Sequence, residues 1–233
     1  MENSYPMRIN KYIAHKGYAT RRGADTLIEK GHVFINNKPA KLGDMVQEKD
    51  TVDIRGHTQK KYEYIAFNKP VGVVTHSPQK REKEIKDILN VKNVFPIGRL
   101  DKNSHGLIIL TNDGRVTDKL LNPEYEHEKE YLVSTKLKLR SSFKEKMEKG
   151  VQIENYKTKP VKISLVDDNV FKITLTEGKR HQIKRMVVAL FNEVTNLERI
   201  RIMNIRLERL RQGEHRVIEG EELETFLKGI GIV

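Results

Sequence analysis

The chain of 233 residues carries 44 Lys+Arg against 32 Asp+Glu, a net charge of +12, with 33% of its residues charged. An ordinary globular protein is about 25% charged, and the basic excess is spread out: 11 basic and 7 acidic residues fall in 1–60, 33 and 25 in the rest. The absence of cysteine excludes disulfides, thiolate zinc sites, iron–sulfur clusters and thiol nucleophiles. A broad positive field attracts polyphosphates by releasing their counterions, so nucleic acid is the expected partner. The eight histidines show no H-x-H or H-x-x-x-H pair, and no metal is expected. The first residues, MENSYPMRIN, hold no apolar segment. No run approaches the roughly 18 apolar residues of a membrane span, so a cytoplasmic protein without a membrane partner is expected.

In chain order, Ile9, Tyr12 and Ile13 fall at helical spacing, closed by Gly17. Thr20 then suits the N-cap of a second helix containing Ala24, Leu27 and Ile28 and stopped by Gly31. VFIN (33–36), an Asn-Lys-Pro turn and TVDI (51–54) complete a unit of two helices and short strands. The polar stretch RGHTQKKYE (55–63) reads as a linker. Beyond it, YIAFNKP (64–70) and VGVVTH (71–76) are strand-like, EIKDILN (84–90) is a short helix, and LIIL (107–110) is a buried strand closed by Asn112-Asp113-Gly114. EYLVSTKLKL (130–139) predicts a long strand. Ser142 and Glu145 have capping-box spacing and open a helix ended by Gly150. VKISLV (161–166) and VFKITLT (170–176) flank a three-residue hairpin loop, Asp167-Asp168-Asn169. The clearest helix is RHQIKRMVVALF (180–191), with an apolar stripe of Ile183, Met186, Val187, Leu190 and Phe191. RIRIMNIRL (199–207) predicts a strand and EGEELETFL (219–227) a last helix. Strands dominate without a βαβ rhythm, which gives an α+β fold with a mostly antiparallel sheet.

Four places concentrate chemistry. Arg21 and Arg22 occupy the first turn of a helix, where the macrodipole disfavours cations, so an RNA phosphate facing them would offset that cost. GRLDKNSHGLIILTNDG (98–114) puts Asp101 in the loop entering a buried strand; a turn-capping carboxylate is the plain alternative. HEKEYLV (127–133) carries Tyr131 into a strand, where an aromatic can equally pack in the core. TEGKRHQIKRM (176–186) places Lys179, Arg180, His181, Lys184 and Arg185 in the first two turns of a helix, pointing again to phosphate or a carboxylate partner. No G-x-S-x-G elbow or Gly-rich phosphate loop competes. What remains is acid–base chemistry with one Asp nucleophile, an aromatic platform and a basic neighbour.

GRLDKNSHGLIILTNDG, NKPVG (68–72), KEYLV (129–133) and GKRHQIKRM (178–186) together resemble, in order, the motifs of the pseudouridine synthases of the RsuA/RluB/RluE/RluF group. Residues 7–54, with Arg21-Arg22-Gly-Ala-Asp25, resemble the S-four-like RNA-binding domain that usually precedes that catalytic domain. IRIMNI and the surroundings of KEYLV place the chain nearest the RluF branch.

The resemblance implies that Asp101 is the nucleophile that enables cleavage of a uridine N-glycosidic bond, after which the uracil rotates and reattaches through carbon-5. It implies that Tyr131 stacks on the base and that Lys184, where the family usually has Arg, pairs with Asp101. Arg99 would place the RNA backbone or fill the space of the flipped base. Arg21, Arg22, Lys69, Lys179, Arg180 and Arg185 would complete the RNA contacts. Family members need neither metal nor cofactor. Two positions depart from the signature, since Asn103 and His105 stand where acids are commoner. Extruding a uridine costs a few kcal/mol, and an aromatic ring suits its landing.

The expectation is therefore a monomeric, cytoplasmic synthase with an RNA-binding domain at 1–57 and a catalytic domain at 63–233. Its expected substrate is a defined uridine in large-subunit (23S) ribosomal RNA. Small-subunit ribosomal RNA and transfer RNA are the alternative substrates. A ribosomal-RNA-binding module without catalysis is the rival from another class, and a base-removing glycosidase is a second.

Overall fold

A computed structural model describes residues 5–56 and 61–232. The chain divides into two compact units, Met1–Tyr62 with Asp113–Arg115, and Glu63–Asn112 with Val116–Val233.

In the first unit, β1 (Met7–Arg8) leads into α1 (Ile9–His15), followed by α2 (Arg21–Glu29), β2 (Val33–Ile35), β3 (Lys38–Pro39), β4 (Met45–Val46) and β5 (Val52–Ile54). β1 pairs with β4, and β2 lies between β3 and β5, all antiparallel. The Thr20 hydroxyl accepts a hydrogen bond from the Gly23 amide at 3.1 Å, as its capping position predicts. Ile9, Ile13, Ala24, Leu27, Ile28, Val33 and Val46 form the buried core. Of the predicted linker 55–63, residues 57–60 lie outside the described residues.

The second unit adds β6 (Tyr64–Lys69), α3 (Ile85–Ile88), β7 (Phe95–Ile97), β8 (His105–Thr111), α4 (Arg115–Leu121), β9 (Lys129–Thr135), α5 (Phe143–Glu148), β10 (Gln152–Ile153) and β11 (Tyr156–Lys157). It continues with β12 (Lys162–Asp167), β13 (Val170–Leu175), α6 (Gln182–Ala189), β14 (Val194–Ile202), β15 (Ile205–Arg206), β16 (His215–Val217) and α7 (Gly220–Gly229). The main sheet runs β12-β13-β9-β14-β8-β6-β16, with β15 on β14 and β7 on β8. β14 and β8 are parallel and the other pairs antiparallel, so the sheet is mixed and mostly antiparallel. One register row crosses its centre: Ile173 opposite Tyr131, Tyr131 opposite Arg199, Arg199 opposite Gly106 and Gly106 opposite Lys69. Side chains in one row project from the same face. That face packs Val133, Phe171 and Ile173 under α5 and α6, and Ile65, Phe67, Ile108 and Leu110 under α3.

Several predicted elements change shape. VGVVTH is a turn and loop rather than a strand, with Gly72 at φ +85°. Gly72 bonds the loop before β8, and Val74 bonds residues 83 and 85 at the entry to α3 in an isolated parallel bridge with Glu84. The predicted strand 130–139 stops at Thr135, where the hydroxyl bonds the Leu137 and Asn169 carbonyls. Ser142 makes no capping bond because its own backbone is already helical, at φ −81° and ψ −1°. Asp167 pairs with Val170, so the hairpin loop has two residues, with an irregularity in the register after Leu165. RIRIMNIRL breaks at Met203, where φ is +52°, into β14 and its return β15. The helix predicted for 180–191 is shorter at both ends: His181 lies at φ +50° before α6 and Phe191 at φ +62° beyond it.

Candidate active site

Asp101 lies in the loop joining β7 to β8, with its side chain 38% exposed. Two neighbours clamp that loop. From the 70–76 segment, the Thr75 hydroxyl donates to the Leu100 carbonyl at 3.0 Å and accepts from the Leu100 amide at 3.1 Å. The Gly72 amide donates to the Lys102 carbonyl at 2.8 Å. That segment is in turn tied down by Lys69, whose ammonium donates to the Val73 carbonyl at 2.7 Å and the Pro70 carbonyl at 2.9 Å. From the other side comes Arg199, whose Nε donates to the Leu107 carbonyl at 2.6 Å and whose Nη1 reaches the Arg99 carbonyl at 3.5 Å.

Lys69 and Arg199 stand on either side of Gly106 in the central row. A Cβ at Gly106 would collide with the Arg199 backbone, and its φ of +106° is one only glycine adopts readily. Tyr131, half-buried, is the next residue of the row. The sheet thus presents a cation, a gap, a cation and an aromatic ring on one face.

Burial pulls the Lys69 ammonium down to about 8; the Asp101 charge opposes this and Arg199 adds to it. Burial also takes Lys129, at the start of β9, to about 8, and Arg199 again adds to the shift. An ammonium removed from water loses solvation, and a neighbouring carboxylate restores part of it.

The third wall precedes α6. Gln182 is buried, with its amide nitrogen donating to Glu177 at 2.5 Å and its oxygen accepting from the Lys179 amide at 3.0 Å. Glu177 also accepts from the Tyr156 hydroxyl and from the Lys159 amide. This network fixes the turn in which His181 sits left-handed, with its Nε2 3.5 Å from an Asp101 carboxylate oxygen.

Three placements differ from the sequence-based expectations. Lys184 forms no ion pair with Asp101 within 4 Å among the described residues; His181 stands there instead. The left-handed turn at residue 181 aims the imidazole at the loop, while Lys184, inside α6, lines a groove with Asn103, Val188 and Glu193. Lys69, expected at RNA, is 0% exposed and bonds two carbonyls. Lys179 and Arg180 precede α6 rather than filling its first turns. Arg21, Arg22, Arg99, Lys179 and Arg180 are exposed, and Arg185 is half-buried, with one guanidinium nitrogen 2.7 Å from Glu154. His105 is buried in β8, 2.8 Å from Asn196.

Sequence reasoning did not single out Arg199, His181 as the partner of Asp101, or the Glu177–Gln182 pair. Arg199 is the first residue of the predicted strand 199–207, whose alternating arginines gave no local sign of which one is buried.

Comparisons with known proteins agree with this architecture. Residues 63–189 match the RNA pseudouridylate synthase family and residues 7–52 the S4 domain. The chain is 43% identical over 227 residues to the dual-specificity RNA pseudouridine synthase RluF of Salmonella typhi, covering 95% of this chain and 78% of that protein. It is 34% identical to the ribosomal large subunit pseudouridine synthase B of Bacillus subtilis, covering 94% and 95% of the two chains. A crystal structure of a pseudouridylate synthase superposes with a TM-score of 0.68 at 28% identity, covering 96% of this chain and 99% of that one. An S4 domain followed by a catalytic sheet whose Asp-bearing loop is pinned at its centre belongs to an RNA pseudouridine synthase, and the chain is a member of the RNA pseudouridylate synthase family.

Proposed function

We propose that Asp101 is the nucleophile of this synthase, that Tyr131 carries the extruded uracil, and that the target uridine lies in large-subunit ribosomal RNA. The observation that carries the site assignment is the central row, where the loop bearing Asp101 is tied by Arg199 and, through the 70–76 segment, by Lys69. In the reaction the carboxylate of Asp101 attacks the ribose, and the bond from carbon-1′ to N1 of uracil breaks. The base turns, carbon-5 bonds to carbon-1′ as the bond from Asp101 to carbon-1′ breaks and frees the carboxylate, the carbon-5 proton leaves to water and N1 regains a proton. Atoms and charge balance, so the product is an isomer of the substrate.

The Asp101 carboxylate needs to be fixed but open, and its 38% exposure inside a clamped loop meets both demands. His181 supplies the nearest charge when protonated, and Lys184 stands along the groove where the RNA strand enters. Large-subunit RNA as substrate is supported by the named activity of the Bacillus subtilis relative. We propose that the chain works as a monomer in the cytoplasm, in keeping with its lack of cysteine.

Asp101→Asn tests the reading. Tritium release from carbon-5-labelled 23S transcript should fall by about three orders of magnitude or more, while RNA binding persists. Turnover within tenfold of the parent protein would remove Asp101 from the nucleophile's role. Release from small-subunit or transfer RNA alone would overturn the substrate assignment.

A further inference from the structure

The groove of about 400 Å³ lined by Asn103, Lys184 and Val188 starts two residues from Asp101 and runs beside α6 to Glu193 and Val194. α6 has eight residues, so its C-terminal end lies about 12 Å along the axis from His181. Just past the C-terminal end of α6 stands Phe191, 74% exposed; Val188, which lines the groove, is 62% exposed. A lone exposed aromatic needs no explanation, but four features distinguish this one.

Phe191 occupies the left-handed position that terminates α6, with its amide bonded to the Val188 carbonyl at 2.9 Å and φ at +62°. Glycine or asparagine serves best there, so a bulky ring is held at a backbone cost. The Arg140 guanidinium lies 5.3 Å from the ring centroid. A second, smaller cavity opens beside it, lined by Arg140, Ser142, Lys146 and Leu190. Asn192 clasps the 137 loop through both its amide atoms, at 3.0 Å and 2.9 Å, which fixes the ring's surroundings. The one acid in the groove, Glu193, is countered by Lys136 at 3.2 Å. Arg140 and Lys146 carry no ion pair within 4 Å among the described residues.

An exposed ring flanked by cations, just past the helix that lines the groove beside the Asp101 loop, matches the chemistry of a single-stranded nucleic acid. The ring stacks a base and the cations meet its phosphates. We propose that Phe191 is a stacking platform for an unpaired base of the substrate RNA outside the target uridine, with Arg140 and Lys146 holding the adjoining backbone. The groove's starting point rests on the assignment of Asp101, but the test requires no turnover and is decided separately.

The chain contains no tryptophan, so Phe191→Trp installs a single reporter at the site. Titration with single-stranded oligouridylate should quench its fluorescence in step with binding followed by anisotropy of the labelled RNA. Phe191→Ala should weaken that binding about 5- to 100-fold, and Phe191→Trp should retain it. Tryptophan emission unchanged at saturating RNA would overturn the proposal. So would a dimer, seen by sedimentation in the parent protein, that Phe191→Ala dissociates, since the ring would then belong to a contact between copies.

Discussion

The basic residues of α2 and those of the central sheet row carry the same charge under opposite conditions. Arg21 and Arg22 are exposed on the first turn of a helix, in water. Lys69 and Arg199 are 0% and 3% exposed, and the Lys69 ammonium and the Arg199 Nε donate to backbone carbonyls. The first pair can meet a phosphate anywhere along a strand, with an energy that salt screens. The second pair is removed from water and shapes the loop that carries Asp101. A net charge of +12 therefore predicts the partner but not which cations build the site.

The sharpest way to break this contrast is at the gap between the two buried cations. Gly106→Ala would drive a methyl group into the Arg199 backbone at a φ of +106°. It should cost on the order of 3 kcal/mol or more and abolish activity together with the fold of the row. Thermal melting measures it, and a parent-like melting temperature would mean that the parallel pair is loosely packed.

Lys69→Met comes next. Leaving the Pro70 and Val73 carbonyls without their donor should cost about 1–3 kcal/mol, and turnover should fall because the 70–76 clamp on Leu100 and Lys102 loosens. The pH dependence sharpens the point. Below about 8 Lys69 is protonated in the folded and unfolded chain alike, but between about 8 and its ordinary 10.5 the unfolded chain holds the extra proton. Stability therefore rises with pH through that window. In Lys69→Met only the Lys129 share of the rise should remain, as denaturant titrations at pH 8 and pH 10 would show.

The smallest effect is expected on the exposed side. Arg21→Ala with Arg22→Ala should reduce the slope of log affinity against log salt by about 1.4 to 1.8 if both meet phosphates. Folding and the turnover rate at saturating RNA should be unchanged. A loss of turnover at saturation would give these arginines a part in the chemistry.

Much of the fold was open to local inspection. α2 follows from Thr20, three apolar residues at helical spacing and Gly31; β8 and the β12–β13 hairpin follow from apolar runs between turn residues. Elements too short for a period, among them β7, β10, β11 and β16, left no such trace. VGVVTH misled because a β-branched run favours strand only when another strand is beside it. Here its neighbours are the Asp101 loop, bonded by Gly72, and residues 83–85, bonded by Val74.

The sequence by itself determined that the protein is basic, α+β, built of two units and equipped with Asp101 at the mouth of a buried strand. These properties rest on composition and on spacings of a few residues, which the chain carries locally. Tertiary structure decided that Lys69 is interior, that His181 rather than Lys184 stands at Asp101, and that Arg199 holds the loop. Those outcomes depend on which strands are neighbours and in what register, and residues 69, 106, 131 and 199 become one row only when distant segments pair.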